Sequence, residues 1–262
     1  MLAIADPATA PDTTTPTLLE LYQRRSKHSS YQQLHPWLAR AFGDTAALPP
    51  GKREVQRQRY FERVLPYCGA SVLDIGANTG FFSFAAMEQG ARNVVCYEGN
   101  AEHAQFIAAG AALLGLQDRM AVRNRYYAFD QGEAGERYDI GLCLNVLHHL
   151  GDDFGDPALG IEQARTRMLA CLRQLAGSVQ QLVLQIGFNW KGDVRHPLFE
   201  GGRKDALIEF VRGGLGDAWR LDETVVANPD TGEYEPTAGR NLARFDTIGE
   251  FMNRPIFRLI AR

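Results

Sequence analysis

Residues 72–82, VLDIGANTGFF, read as an apolar strand that ends in an acid, then a glycine-containing turn, then the start of a helix. Gly76 and Gly80 lack a Cβ atom, so the backbone there can approach a ligand closely and adopt left-handed angles. The next apolar strand, residues 93–97, is followed by Glu98. A carboxylate at that place can accept hydrogen bonds from both hydroxyls of a ribose. The stretch therefore predicts a nucleoside-binding site at one edge of a sheet.

The spacing of this turn differs from the dinucleotide fingerprint G-x-G-x-x-G, whose glycines cradle a pyrophosphate. Ala77 and Asn78 follow Gly76, so the second glycine of that fingerprint is missing. Asp74 precedes the turn, where a carboxylate would repel a phosphate and favour a cationic ligand. A positively charged adenosine derivative without a phosphate, such as S-adenosylmethionine, fits these features.

Short apolar segments alternate with helical segments on both sides of the turn, which predicts a mostly parallel sheet covered on both faces. The seven predicted strands are residues 71–75, 93–97, 120–124, 138–144, 181–186, 224–227 and 255–261. Residues 1–16, rich in Ala, Pro and Thr, predict a disordered tail. We expect residues 17–66 to form an N-terminal helical cap and residues 67–262 to form the core.

The composition and charge of the chain limit the partners that it can bind. The 262 residues include 28 basic and 31 acidic side chains, for a net charge of −3, so nucleic acid held by a general basic field is not expected. The cysteines at 68, 96, 143 and 171 form no C-x-x-C pair, which favours buried free thiols in a reducing compartment over a zinc site. No apolar run approaches the roughly 20 residues of a membrane span. The N-terminus also lacks the pattern of a signal peptide, so we expect a cytoplasmic protein.

Three motifs in order make the chain resemble the class I S-adenosylmethionine-dependent methyltransferases: DIGANTGFF at 74–82, YEGN at 97–100 and LCLNVLHHL at 142–150. The resemblance runs from Cys68 to the C-terminus. It implies an α/β, Rossmann-like sheet of seven mostly parallel strands with an antiparallel last strand, helices on both faces, and S-adenosyl-L-methionine as cofactor. It also implies cofactor contacts for Asp74, Gly76, Asn78, Gly80, Glu98, Gly99, Asn100 and Asn145. Residues 125–127, RYY, stand where this family usually has a Gly-Asp pair beside the adenine, so the adenine contact is left open.

Two adjacent histidines, His148 and His149, follow the fourth predicted strand at its carboxyl end, where ligands bind in such sheets. Methyl transfer is an in-line displacement, so the protein must hold the acceptor at about 3–3.5 Å and remove the proton of a hydroxyl. A histidine suits that role because its pKa is near neutrality. We predict that one of the pair is the general base, with His148 slightly preferred, and the alternative is that both order the loop by packing. No acid cluster resembles that of the Mg²⁺-dependent catechol enzymes, so no metal is expected.

The loop after the fifth strand and a segment near the N-terminus are the predicted acceptor-binding regions. In the loop, Trp190 could stack on a ring, and a group of basic side chains could hold an anion: Lys191, Arg195 and His196. Acids are interleaved with them, so a solvated loop is the alternative. Residues 27–32, KHSSYQ, weakly resemble methyltransferases linked to bacterial polysaccharide synthesis. They offer Tyr31 or His28 as a lid over the cofactor or acceptor, and a helix packed on the sheet edge is the alternative.

These features favour an O-methyltransferase that acts on a small molecule or a glycan with a histidine general base. An N/D-P-P-Y/F run is missing after the fourth strand, which disfavours methylation of base or amide nitrogens of that type. An enzyme that acts on tRNA is a second hypothesis, and it needs a basic face near the pocket. The candidates for that face are Lys52, Arg53, Arg57, Arg59 and Arg63. A cofactor-binding protein without catalysis is the third hypothesis.

Overall fold

The computed structural model describes residues 18–24, 32–42, 53–130 and 136–262, so the predicted tail of residues 1–16 lies outside the described residues. The described strands are β1 (Ser71–Ile75), β2 (Asn93–Tyr97), β3 (Met120–Arg123), β4 (Tyr138–Leu144), β5 (Val179–Gln185), β6 (Trp219–Ala227), β7 (Tyr234–Pro236) and β8 (Ile256–Ala261). The described helices are α1 (Leu18–Gln23), α2 (Pro36–Phe42), α3 (Glu54–Val64), α4 (Phe81–Glu88), α5 (Ala101–Leu113), α6 (Ile161–Gln174), α7 (Lys204–Gly214) and α8 (Gly249–Asn253).

The strands form one sheet in the order β3-β2-β1-β4-β5-β8-β6-β7. Strands β1 to β5 pair in parallel, while β8 is antiparallel to both β5 and β6. Strand β1 is buried along its whole length, as expected for an apolar run between two covered faces. The predicted α/β fold class, with a mostly parallel sheet and an antiparallel last strand, is confirmed.

Two details of the sheet differ from the sequence-based prediction. A short strand of 3 residues, β7, pairs with β6 in a hairpin. It brings the number of strands in the described part of the chain to 8, and it is too short to show an alternating pattern. Strand β6 begins at Trp219 rather than at residue 224. Its first half includes exposed and half-buried polar residues, so the sequence there shows no apolar run that would predict a strand.

Helices cover both faces of the sheet. On one face, α3, α4 and α5 pack around Phe61, Phe84 and Phe106. On the other face, α6 and α7 pack around Met168 and Leu207. The two hydrophobic clusters leave the carboxyl ends of the parallel strands as the place where loops from both faces meet.

The described part of the predicted cap packs directly on the core of the sheet. In α3, the ring of Phe61 lies 5.3 Å from the ring of Phe82 in α4. Just before α2, the buried His35 lies 5.3 Å from the ring of Phe81, and its Nδ1 accepts the Trp37 amide at 3.3 Å. Burial lowers the pKa of His35 to about 4, so this imidazole is neutral at physiological pH. The cap and the sheet therefore share one hydrophobic cluster.

Two further sequence-based expectations concern the cysteines, expected to be buried free thiols, and membrane-spanning segments, of which none is expected. All four cysteines are free thiols, but Cys68 is exposed, whereas Cys96, Cys143 and Cys171 are buried. Among the residues that the structure describes, no helix has the length and apolar character needed to cross a membrane.

Candidate active site

A cavity of about 310 Å³ opens where the carboxyl ends of β1, β2 and β4 meet. Ligands of open α/β sheets bind at this edge. The predicted site residues that line it are Gly76, Asn78, Glu98, Gly99, Asn100, Asn145 and His149. The predicted site residues outside its lining are Asp74, Gly80, His148, Trp190, Lys191, Arg195 and His196. Tyr31 and His28 fall outside the described residues.

The turn after β1 is folded tightly onto the loops beside it. Gly76 has a φ of +72°, and its amide donates to the Tyr97 carbonyl at 2.8 Å. A Cβ atom at Gly76 would lie 2.6 Å from Cγ2 of Val146, so glycine is required there. Asn78, with a φ of +54°, is also left-handed. The turn therefore brings its backbone close to the cavity wall.

Glu98 links the loops after β1 and β2 through its carboxylate. Its Oε2 accepts the Asn78 backbone amide at 2.7 Å, and its Oε1 accepts the Asn100 backbone amide at 2.8 Å. Asn100 in turn caps α5, where its side chain accepts hydrogen bonds from two backbone amides. A carboxylate has about four acceptor sites, so Glu98 can accept further hydrogen bonds from a ligand in the cavity.

Asp74 and Gly80, both predicted to contact the cofactor, lie behind the cavity and pack on α4. The buried Asp74 carboxylate accepts a hydrogen bond from the Ser83 hydroxyl at 2.6 Å. Burial raises the pKa of Asp74 to about 6, because it disfavours the charged form. Gly80 precedes the helix with a φ of +78°, and a Cβ atom there would lie 3.1 Å from both Ile107 and Phe84. Both residues therefore fix the turn from behind.

Aromatic side chains from the loop after β3 form a further wall of the cavity. Tyr126 is 52% exposed and lies against Gly99, where a Cβ atom would come within 2.3 Å of its ring. Tyr127 is buried, with its ring 4.9 Å from that of Tyr97 and 5.1 Å from that of Phe129. The two tyrosines belong to the RYY segment, whose role the sequence leaves open. They offer an apolar surface for a planar heterocycle.

The two histidines after β4 have different surroundings. His148 is buried, and its Nδ1 accepts the backbone amide of Gly187 at 3.2 Å, so it joins the loops after β4 and β5. His149 lines the cavity. Its Nδ1 lies 3.5 Å from a carboxylate oxygen of Asp153 and 3.8 Å from one of Asp152. Of the two histidines, His149 is therefore the one that lines the cavity, whereas the sequence slightly favours His148.

His149, Asp152 and Asp153 also form a group that could hold a cation. One ligand atom from each of them lies within 4.8 Å of the others. Backbone amides of Asp152 and Asp153 donate to the His149 carbonyl at 3.0 and 3.1 Å, which holds this turn together. Imidazole nitrogen and carboxylate oxygen are ligands of several divalent metals. The sequence-based expectation of no metal rests on a comparison of motifs and does not account for this turn.

The loop after β5 packs on the loop after β4, away from the cavity lining. The indole nitrogen of the buried Trp190 donates to the Leu150 carbonyl at 2.7 Å. The Lys191 ammonium lies 4.3 Å from the centre of the Trp190 ring. Arg195 has a side chain that is 81% exposed and is paired with a neighbouring aspartate, and His196 is exposed as well. The exposed Arg195 and His196 fit the alternative of a solvated loop, whereas the buried Trp190 packs on the neighbouring loop.

In the described part of the chain, the arginines of α3 are engaged in intramolecular contacts. The buried Arg57 forms an ion pair with Glu54 at 2.9 Å. Arg59 pairs with Glu233 at 2.6 Å, and Arg63 donates to a backbone carbonyl of β7 at 3.0 Å. Lys52 lies outside the described residues. These contacts weaken the case for a basic face of the kind that a tRNA-modifying enzyme needs.

Gln32 is a contact residue of the Gly76 turn that the sequence does not single out. It is buried, and its Oε1 accepts from both the Thr79 hydroxyl and the Phe81 amide at 3.2 Å. It thereby caps α4, whose N-cap residue, Gly80, has no side chain to do so. The KHSSYQ motif indicates that this region contacts the site. The residues predicted from it are Tyr31 or His28, whereas the contact that the structure describes is made by Gln32.

Comparison with known proteins identifies the fold. No protein-family model matches the sequence, and no curated protein matches it. The bifunctional kinase-methyltransferase WbdD is similar with a TM-score of 0.57 and 19% sequence identity, over 93% of this chain and 46% of that chain. The chain has the class I methyltransferase fold. It spans about half the length of WbdD.

Two further solved structures are similar over most of their lengths. Magnesium protoporphyrin IX methyltransferase from Synechocystis PCC 6803, with bound S-adenosylmethionine, matches at 17% identity over 79% of this chain and 81% of that chain, with a TM-score of 0.47. Ribosomal protein L11 methylase from Lactobacillus delbrueckii subsp. bulgaricus matches at 13% identity over 81% of this chain and 82% of that chain, with a TM-score of 0.48.

Proposed function

We propose that this chain is an S-adenosylmethionine-dependent methyltransferase that methylates a hydroxyl group of a small molecule or a glycan. The observation that carries the proposal is the meeting of Glu98 with the Gly76 turn at one cavity of a class I fold. The hydrogen bond from the Asn78 amide to the Glu98 carboxylate joins the two loops. The buried free thiols fit the reducing cytoplasm that we expect for this enzyme.

The residues around the cavity fit S-adenosylmethionine. Glu98 suits the ribose hydroxyls, because a hydrogen bond to a charged group contributes about 1.5–3 kcal/mol. Gly76 lines the cavity, and because it lacks a Cβ atom its backbone can lie close to a ligand there. The ring of Tyr126 suits the adenine. When bound, the cofactor supplies an electrophilic methyl group.

His149 is the proposed general base. Its Nδ1 faces Asp153 and Asp152 at 3.5 and 3.8 Å, so a proton on that nitrogen orients the ring and leaves Nε2 as the proton acceptor. The carboxylates stabilise the imidazolium that forms when Nε2 takes the proton of the acceptor hydroxyl. A positioned base of this kind accelerates a reaction by about 10²–10⁴-fold.

The acceptor that we propose is a small hydroxyl compound or a glycan rather than RNA. The arginines of α3 are engaged within the chain, and the net charge of −3 gives no general attraction for a polyanion. The KHSSYQ segment resembles methyltransferases of polysaccharide synthesis, and this resemblance is the reason for including glycans among the proposed acceptors.

Calorimetry with S-adenosylmethionine and a methyl-transfer assay on a panel of sugars, glycans and phenols test the proposal. We expect the wild-type protein to bind the cofactor and to methylate one class of hydroxyl. The variant His149→Ala should keep the cofactor affinity and lose about 10²–10⁴-fold in kcat. The control is Glu209→Ala, because that side chain is exposed on α7 and outside the cavity lining. Turnover at the wild-type rate in His149→Ala would end the base assignment.

Other results would favour other functions. A wild-type protein that does not bind S-adenosylmethionine removes the methyltransferase proposal. Binding of the cofactor without turnover of any acceptor favours a non-catalytic protein, and a salt-dependent complex with tRNA favours the tRNA enzyme. Loss of turnover on addition of a chelator, restored by Mg²⁺, would assign the His149 turn to a cation rather than to proton transfer.

A further inference from the structure

Beside the cavity, polar side chains from distant parts of the chain form a hydrogen-bonded cluster that no single sequence motif contains. We call this cluster the Asn145 network, and its members are Glu54, Arg57, Asn145, Gln185, Glu250 and Arg254. They come from α3, the loop after β4, the end of β5, and the segment around α8. All of them except Glu250 are buried. The network therefore connects elements from both ends of the chain at one edge of the sheet.

Gln185, the last residue of β5, lies at the centre of the network. Its Oε1 accepts hydrogen bonds from Arg57 Nη1 at 3.2 Å and from Asn145 Nδ2 at 3.1 Å. Its Nε2 donates to the Arg254 carbonyl at 3.1 Å. The side chain is fully buried, so these contacts take the place of water.

Asn145 is the member of the network that lines the cavity. Its φ of +63° is a left-handed conformation, which asparagine tolerates better than most residues. Its Oδ1 accepts from Arg254 Nη1 at 2.7 Å, and its Nδ2 donates to Gln185. Both ends of the amide are therefore bound within the network. Such surrounding contacts can hold an unfavourable backbone conformation in place.

The charges of the network are balanced, which argues against an anion-binding site. Arg57 pairs with Glu54 at 2.9 Å, and Arg254 pairs with Glu250. Burial raises the pKa of the Tyr234 hydroxyl beside them, and the two arginines act against that rise. Burying ion pairs costs free energy, and in some proteins such pairs fix one arrangement of the chain. The balance of charge therefore indicates that the network holds neighbouring side chains and backbone in place rather than binding an anion.

We propose that Arg254 is a positioning residue of the methyl-transfer site and acts through Asn145. The inference rests on the proposed function, because it assumes that the cofactor binds beside Asn145. The Arg254 guanidinium lies 4.1 Å from the centre of the Phe251 ring, which fixes it on the C-terminal segment. From there it holds the Asn145 amide and, with it, the backbone at the cavity wall. A residue near the C-terminus thereby controls cofactor affinity without touching the cofactor.

A double-mutant cycle tests whether Arg254 acts through Asn145. The variant Arg254→Met removes the guanidinium, and Asn145→Gly removes the amide while leaving the left-handed backbone accessible. We expect Arg254→Met to weaken S-adenosylmethionine binding by about 5–50-fold in the wild-type background, and by less than about 2-fold in the Asn145→Gly background. Calorimetry gives the dissociation constants, and thermal denaturation confirms that each variant is folded.

The variant Arg258→Met is the matched control. Arg258 lies on β8, pairs with Asp222 and donates to the Val64 carbonyl at 3.2 Å, so it contacts other partners than the network. We expect it to change cofactor affinity little, and equally in both backgrounds. An effect of Arg254→Met of the same size in both backgrounds would overturn the proposal, because the arginine would then act independently of Asn145.

A measurement without cofactor separates this inference from the proposed function. Amide hydrogen exchange of residues 144–149 should be faster in Arg254→Met than in the wild-type protein and unchanged in Arg258→Met. If the wild-type protein fails to bind S-adenosylmethionine, the proposed function falls, and the exchange experiment still decides the role of Arg254. Unchanged exchange in Arg254→Met would overturn the inference.

Discussion

The proposed cofactor side of the cavity, formed by the loops after β1 and β2, differs in construction from the proposed acceptor side, where the loop after β4 lines the cavity and the loop after β5 packs on it. On the cofactor side, the Gly76 turn and Glu98 belong to two short motifs that one hydrogen bond joins. On the acceptor side, Trp190 donates to the Leu150 carbonyl across 40 residues of sequence. Local motifs therefore specify the first side, whereas tertiary packing specifies the second.

The largest effect is expected from Gly76→Ala, which tests the cofactor side. Alanine would adopt a strained φ of +72° and place its Cβ atom 2.6 Å from Cγ2 of Val146. The left-handed strain and the overpacking together correspond to at least about 100-fold weaker binding of S-adenosylmethionine, measured by calorimetry.

The matched control for this prediction is Gly69→Ala. Gly69 has a φ of +73°, but a Cβ atom there would have no heavy atom within 4 Å. It should reduce stability by about 1 kcal/mol and leave cofactor affinity unchanged. Adding Val146→Ala to Gly76→Ala should restore part of the binding. If both glycine variants weaken binding equally, the contact with Val146 is not the cause.

The pH dependence of stability tests the role of Asp74 behind the cofactor side. Burial raises the pKa of Asp74 from 3.8 to about 6, so the native state holds its proton more tightly than the unfolded state. The stabilisation from this shift is complete below pH 3.8 and is lost as the pH rises through 6. The variant Asp74→Asn stays neutral, so its unfolding free energy should rise relative to wild type across this window by up to about 3 kcal/mol. Denaturant titrations at several pH values measure the difference, and a constant difference would contradict the assignment.

A smaller effect is expected from Glu98→Gln on cofactor affinity. The glutamine amide would turn a donor toward one of the two backbone amides that now donate to the carboxylate, those of Asn78 and Asn100. We expect S-adenosylmethionine to bind about 10–100-fold more weakly, as measured by calorimetry. The control is Glu102→Gln, at the second residue of α5 and outside the cavity lining, which should bind as wild type does. Equal affinities of the two variants would remove Glu98 from the proposed ribose site.

The parts of the fold that could be predicted from the sequence have signals that are local in the chain. Strands β1 and β2 lie at residues 71–75 and 93–97, where short, mostly apolar segments predict them. The turn at Gly76 is equally local, because glycine itself marks a left-handed position. Strand β7, at Tyr234–Pro236, has no such signal, because its pairing with β6 rather than its own pattern makes it a strand.

The parts of the candidate site that could not be predicted depend on distant contacts. Arg254 donates to Asn145 across 109 residues, and no short motif contains both. The preference between His148 and His149 likewise depends on which imidazole the loop after β5 covers, and Gly187 covers His148. Sequence reasoning therefore found the histidine pair, but the contact that separates its members is tertiary.

An effect of intermediate size on cofactor affinity is expected from Gln32, which contacts the cofactor side from a distant part of the chain. Gln32 accepts hydrogen bonds from Thr79 and from the Phe81 amide at the start of α4. Loss of a helix cap costs about 1 kcal/mol, so Gln32→Ala should weaken S-adenosylmethionine binding by about 5-fold. The control is Gln58→Ala, whose amide donates to Glu62 within α3. If calorimetry shows no change for Gln32→Ala, the cap contributes nothing to the turn, and the cofactor side is specified by its motifs alone.

The smallest effect is expected from Arg195→Ala on the acceptor side. The Arg195 side chain is 81% exposed and paired with Asp193, and neither residue lines the cavity. Replacing such a surface side chain should change kcat/KM for the acceptor by less than about 2-fold. In contrast, Trp190→Ala removes the buried hydrogen bond to the Leu150 carbonyl beside His149 and should lower turnover more. A large rise in KM for Arg195→Ala would show that its charge contacts the acceptor, and a residue chosen from local sequence would then specify the acceptor side as well.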